Sequence, residues 1–132
     1  MIMVDRDGTP LSVFTLNANE AEVNAIETLV ESSVTGDKPA RLLYDKAADA
    51  DWLRKRLASR DIELVCPHRK NRKQPALQDG RSLRRFKRRY RVERSISWLQ
   101  NFRRLVSRYE WYAELFEGFA VLGCLYTVMK RF

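Results

Sequence analysis

Two acidic residues, Asp45 and Glu93, stand where carboxylates can do chemistry. Asp45 follows Arg41-Leu42-Leu43-Tyr44, at the point where a short strand ends and a loop begins. Open α/β sheets place ligand sites at the carboxyl ends of their strands. An aspartate that caps a turn explains the same position. Glu93 is the only acid between Arg81 and Arg108. At about 100° per residue, Phe86, Arg89, Glu93, Ser97 and Gln100 share one helix face, within roughly 40°. Val92, Trp98, Leu99, Phe102, Leu105 and Val106 form the opposite, apolar face. Glu93 therefore points away from the core. It either pairs with Arg89 at i−4, a contact worth about 0.3–0.5 kcal/mol, or serves as a metal ligand. A metal there would face a phosphate backbone held by the surrounding arginines.

Those arginines belong to a dense basic stretch: Arg69, Lys70, Arg72, Lys73, Arg81, Arg84, Arg85, Lys87, Arg88, Arg89 and Arg91. The overall net charge of +8 hides the asymmetry. Residues 1–53 carry a net −6, residues 54–108 a net +15 and residues 109–132 a net −1. Like charges at this density repel unless an anion lies among them, and phosphate is the usual one. Phosphate contacts give affinity and salt dependence without reading base sequence. Nucleic acid is the expected partner, ahead of an acidic membrane surface. The alternative is an ordinary solvated face.

Several chemistries are disfavoured. Cys66 and Cys124 lie too far apart for a disulfide framework or a Cys-x-x-Cys site, which fits a reducing cytosol and a cytoplasmic protein. Cys66-x-His68 has no second ligand pair for zinc. No Gly-rich phosphate loop, Gly-x-Ser-x-Gly or His-Glu-x-x-His occurs. The opening residues lack the pattern of a secretory signal. The longest apolar stretch, Phe119–Met129, is 11 residues against the roughly 20 needed to cross a bilayer, and reads as a buried helix.

The elements that must position these residues follow from periodicity. At 45% hydrophobic and 32% charged, the 132 residues form one foldable domain. Strands are predicted at Ile2–Val4 and Leu11–Leu16, joined by a turn at Arg6-Asp7-Gly8-Thr9. Asn19 and Glu22 form a capping box ahead of a helix carrying Val23, Ile26, Leu29 and Val30. A strand at 41–44, a helix over 49–60 with Trp52, Leu53 and Leu57 inward, and a strand at 62–66 come next. Residues 67–82 read as a basic loop, followed by two long helices, Leu83–Arg108 and Trp111–Lys130. The order is that of an α/β layered fold.

LLYDKAADADWLRKRLASRDIELVCPHRKNRK resembles the region of the second catalytic aspartate in insertion-sequence DDE transposases. RRYRVERSISWLQNFRRLVSRYEWYAELFEGFAVL resembles their glutamate-bearing helix, and VDRDGTPLSVFTLNANEAEVNAI their opening hairpin and first helix. The resemblance implies a ribonuclease H-like α/β fold, N-terminally truncated, with 1–132 a single partial catalytic domain. It implies DNA transposition by two-metal strand cleavage and joining, with Mg²⁺ or Mn²⁺ on Asp45 and Glu93. Arg89 matches the arginine of the family's Tyr-Arg-Glu-Lys signature; Phe86 stands in place of its tyrosine and Gln100 in place of its lysine. Asp-Lys-Ala-Ala-Asp replaces the family's Asp-Lys-Gly-Tyr-Asp. The family's first aspartate precedes the hairpin, and Asp5 and Asp7 are turn residues. The expected partner is double-stranded DNA at transposon ends, gripped by Arg69, Lys70, Arg72, Lys73, Arg84, Arg85, Lys87, Arg88 and Arg91. A homodimer or a complementing N-terminal fragment is a further expected partner, and the isolated chain is expected to be inactive. The competing reading is a non-catalytic, basic nucleic-acid-binding protein.

Overall fold

Asp7-Gly8 turns the chain as its composition predicts. In the computed structural model, which describes residues 1–77 and 80–130, β1 (Ile2–Val4) pairs antiparallel with β2 (Pro10–Val13). Gly8 sits at φ 82°, a region that favours glycine. Asp5 Oδ1 accepts from the backbone N–H groups of Asp7 (2.7 Å) and Thr9 (2.8 Å), so the turn accounts for this acid. The first helix, α1 (Glu22–Glu31), buries Ile26, Leu29 and Val30. The capping box is not formed. The N-cap is Ala21, which makes no side-chain cap, while Asn17 Nδ2 donates to Glu20 nearby.

A parallel pair follows: β3 (Arg41–Leu43) lies beside β4 (Glu63–Val65), with Leu42 opposite Leu64. Their crossover contains a 3₁₀ turn (Lys46–Ala48) and α2 (Asp51–Ala58). Leu53 and Leu57, one turn apart, are completely buried. Trp52 lies about 100° around the helix from Leu53 and is 42% exposed, contrary to expectation, with the Arg56 guanidinium over its ring. Met3, Ile26, Leu29, Leu42, Leu53, Leu57, Ile62 and Leu64 belong to one core cluster. The two strand pairs thus share a hydrophobic core, although among the described residues no ladder joins them.

The predicted 83–108 helix is broken. It comprises α3 (Gly80–Leu83), a 3₁₀ segment (Arg84–Arg89), α4 (Tyr90–Leu99) and α5 (Arg103–Val106). Beyond Leu99 the chain leaves the helix, with Phe102 extended at φ −87°, ψ 111°. The break lets Leu99, Phe102 and Leu105 close around Gly123 of α6 (Ala113–Met129). A Cβ at Gly123 would stand 3.1 Å from both leucines, so glycine sets this close approach. Phe102 also meets Tyr126 edge-on, 5.5 Å between ring centres. Two expectations about this region change. Val106 is 63% exposed, and α6 is not a buried helix: Ala120, Gly123 and Cys124 are covered, while Val121, Leu122, Leu125 and Met129 are exposed. One face of α6 packs on β2, α4 and α5, and the opposite face meets solvent.

Candidate functional site

Asp45 lies just past the carboxyl end of β3 and caps the 3₁₀ turn: the Ala47 N–H donates to its Oδ1 at 2.8 Å. Its second oxygen lies 3.7 Å from Arg89 Nη2, and Arg89 Nη1 is 3.2 Å from Glu93 Oε1. One guanidinium therefore sits between the two acids singled out from the sequence. Both bland roles are realised, cap for Asp45 and i,i+4 partner for Glu93, yet the residues also converge. The side chains remain 40% and 59% exposed, leaving oxygen lone pairs open to water.

The helical segment is positioned from its other end. Ser95, nearly inaccessible, donates from Oγ to the Gly8 carbonyl at 2.7 Å, and Arg91 Nη1 pairs with Asp7 at 3.1 Å. These bonds seat α4 on the hairpin turn and carry Arg89 and Glu93 toward β3. Phe86 is half-buried one 3₁₀ turn before Arg89. Gln100 is exposed at the end of α4, about 10 Å along the axis from Glu93, and lies apart from the converging acids. Beside Asp45, the Tyr44 hydroxyl donates to Glu22 Oε2 at 2.8 Å. Burial, then the bonded Glu22 carboxylate, push its pKa up.

Asp49, four residues after Asp45, is a feature the sequence reading passed over. Its side chain is 1% exposed and takes four donors: His68 Nδ1 (2.9 Å), Arg54 Nη2 (3.2 Å) and Arg72 Nη1 (3.3 Å) on Oδ1, and the Arg69 N–H (2.8 Å) on Oδ2. Burial works against its charge, but the Arg69 N–H, His68 and Arg54 outweigh it and hold the carboxyl below its ordinary value. The doubled aspartate of Asp-Lys-Ala-Ala-Asp was the available signal. The partners, drawn from up to 23 positions away, were invisible to it.

His68 is fully committed as well, since Nε2 accepts from the Leu77 N–H at 3.3 Å while Nδ1–H donates to Asp49. Cys66 receives Arg54 Nη2 at its sulfur, and burial pushes its thiol up to about 11. Neither residue is set up to ligate zinc. Among the described residues, no group of three or more His, Cys, Asp or Glu side chains is arranged to hold a metal ion.

The basic stretch divides in two. Arg69, Arg72 and Arg91 direct their guanidinium groups to partners within the chain: Lys46 O and Ala47 O, Asp49 and Asp51, and Asp7 respectively. Lys70, Lys73, Arg84, Arg85, Lys87 and Arg88 are exposed. Gln78 and Asp79, within the predicted 67–82 loop, lie outside the described residues, and part of that loop, from Gly80 onward, is helical.

A sequence profile for the transposase DDE domain matches residues 1–128, nearly the whole chain. The chain belongs to the DDE transposase family. It is also 30% identical over 131 residues to a putative transposase for insertion sequence element IS402 from Burkholderia cepacia, an alignment covering 93% of this chain. The chain spans 58% of that relative's length. No solved structure matches it. No helix among the described residues is long and apolar enough to cross a membrane. The order of elements in this DDE domain, hairpin, helix, parallel βαβ unit and glutamate-bearing helix, follows the order expected from the resemblance.

Proposed function

We propose that this chain is the C-terminal portion of a DDE transposase catalytic domain, in which Asp45 and Glu93 are metal ligands and the exposed basic residues hold transposon-end DNA. The observation that carries the reading is the convergence of Asp45, on the turn after β3, and Glu93, on α4, upon the single Arg89 guanidinium. Two carboxylates with free lone pairs suit a hard cation such as Mg²⁺ or Mn²⁺, which needs only one or two carboxylates plus phosphate and water. Such ions would activate the attacking hydroxyl and neutralise the leaving oxygen of the phosphodiester. This chain's residues supply the surroundings. Arg89 offsets part of the charge of the two acids and is placed to turn toward phosphate. Phe86 and Gln100 occupy the positions of the family's tyrosine and lysine, and neither supplies the hydroxyl or charge found there.

The ribonuclease H-like sheet and the first acid are part of the proposal. Among the described residues the β1–β2 and β3–β4 pairs lie over a shared core without a joining ladder, and the proposal puts an aspartate-bearing strand between them. That strand would come from a complementing N-terminal segment; a homodimer is a separate part of the proposal. DNA contact falls to Lys70, Lys73, Arg84, Arg85, Lys87 and Arg88, and the protein would act in the cytoplasm. The absence of a three-ligand group among the described residues favours a second reading, DNA binding without chemistry.

The test is incubation of the purified chain with supercoiled plasmid and Mg²⁺ or Mn²⁺, beside Mn²⁺ binding followed by electron paramagnetic resonance. We expect DNA binding without nicking, and Mn²⁺ binding that Asp45→Asn and Glu93→Gln each weaken. Mn²⁺ binding indifferent to both substitutions would leave the non-catalytic reading standing. Nicking lost in Glu93→Gln would mean that the first acid comes from within this chain.

A further inference from the structure

The turn that carries Asp45 is held by a closed ring of contacts. Asp45 Oδ1 accepts the Ala47 N–H at 2.8 Å. The carbonyls of Lys46 and Ala47 accept Arg69 Nε at 3.0 Å and Arg69 Nη2 at 2.8 Å. The Arg69 N–H returns to Asp49 Oδ2 at 2.8 Å, and Asp49 lies at the end of the same turn. Arg69 is thus fixed through its backbone by one end of the turn while its side chain grips the other. Asp49 is itself immobilised by His68, Arg54 and Arg72. The Lys46 carbonyl also accepts the Asp49 N–H at 3.3 Å, so the Arg69 fork adds a second bond there and supplies one to the Ala47 carbonyl. Turning that fork toward a phosphate would strip both carbonyls of these bonds.

We propose that Asp49 and Arg69 are positioning residues, which hold the 45–49 turn in the one shape that presents the Asp45 carboxylate to Arg89 and Glu93, and that Arg69 takes no part in gripping DNA. The inference rests on the proposed role of Asp45 as a ligand. It moves Arg69, a member of the basic loop, from the DNA surface to the support of the acid site. Residues behind a metal ligand commonly change metal affinity by about 10–100-fold when removed, although they never touch the ion.

The experiment uses the whole chain and the variant Arg69→Ala, whose side chain is exposed and whose loss should leave the core intact. Three measurements are made. The slope of log K against log salt for duplex DNA binding should match the wild type, whereas Lys70→Ala and Lys73→Ala each flatten it by about 0.9. Mn²⁺ binding should weaken about tenfold in Arg69→Ala and again in Asp49→Asn. Hydrogen exchange at the Ala47 amide should quicken about tenfold while that of Val65 in the core is unchanged. A slope flattened by about 0.9 in Arg69→Ala would overturn the proposal, as would unaltered Ala47 exchange. So would Mn²⁺ binding that depends on Asp45 but not on Arg69. If Mn²⁺ binding ignores Asp45 and Glu93 altogether, the ligand reading fails instead, and the slope and exchange data still decide whether Arg69 clamps the turn.

Discussion

Asp45 and Asp49 sit four residues apart on one turn, and their carboxylates are in opposite situations. Asp49 is 1% exposed and takes three cationic or imidazole donors and a backbone N–H. Asp45 is 40% exposed, takes one backbone N–H, and has a guanidinium only at 3.7 Å. A carboxylate has about four acceptor positions, so Asp49 is saturated and Asp45 is not. The difference separates structure from chemistry. A saturated buried acid can only hold its neighbours in place, and an unsaturated exposed one is free to accept a cation. Residue type and spacing are the same for both; what they face differs.

The largest expected effect tests this contrast directly. Asp49→Ala leaves Arg54 and Arg72 facing a buried void, and should destabilise the fold by about 3–5 kcal/mol in urea denaturation. Asp45→Ala removes a cap, and should cost about 1 kcal/mol. Equal losses would erase the distinction between the two acids.

Next in size is the DNA surface. Replacing Arg84, Lys87 and Arg88 together with alanine should lower the log–log salt slope of duplex binding by about 0.9 for every phosphate left without its cation, with no preference among sequences. Arg72→Ala, whose guanidinium lies against Asp49 and Asp51, should leave that slope unchanged and lower thermal stability instead. The reverse pattern would take the 84–88 segment off the DNA surface and put Arg72 on it.

A smaller effect follows from pH. The folded state holds the Asp49 carboxyl below its ordinary value of 3.8, so its contribution to stability is fully present above about pH 4–5. That contribution is lost as pH falls through the lowered value. The stability gap between wild type and Asp49→Asn, read by thermal unfolding from about pH 7 to pH 2, should therefore be constant near neutrality and shrink in acid. A gap that widens in acid would mean that Asp49 is protonated in the folded chain.

The smallest effect belongs to Arg89. Its contacts with Asp45 and Glu93 are solvent-exposed, so Arg89→Ala should change stability by less than about 1 kcal/mol. The same substitution removes the cation lying between the two acids and should tighten Mn²⁺ binding. Weaker Mn²⁺ binding would show that Arg89 holds the acids in their ligating arrangement and does not compete with the ion.

Much of this protein was legible in the residues themselves. The Asp7-Gly8 turn, the short strands around Leu42 and Leu64, the buried pair Leu53 and Leu57, and the outward direction of Glu93 depend on local stereochemistry and on periods of two and 3.6 residues, which neighbours in sequence determine. The ordered DDE-like motifs were likewise present as strings. Tertiary structure alone decided the rest. The break after Leu99 exists because Phe102 and Leu105 must close on Gly123, in a helix that lies further along the chain. The exposure of Val121, Leu122 and Leu125 depends on which face of α6 finds a partner. The division of the arginines has the same origin: Arg69 and Arg84 are equally basic and equally compatible with a loop or helix surface. What sets them apart is that folding places Lys46 O, Ala47 O and Asp49 beside Arg69, and hydrogen bonding is decided by distance in space.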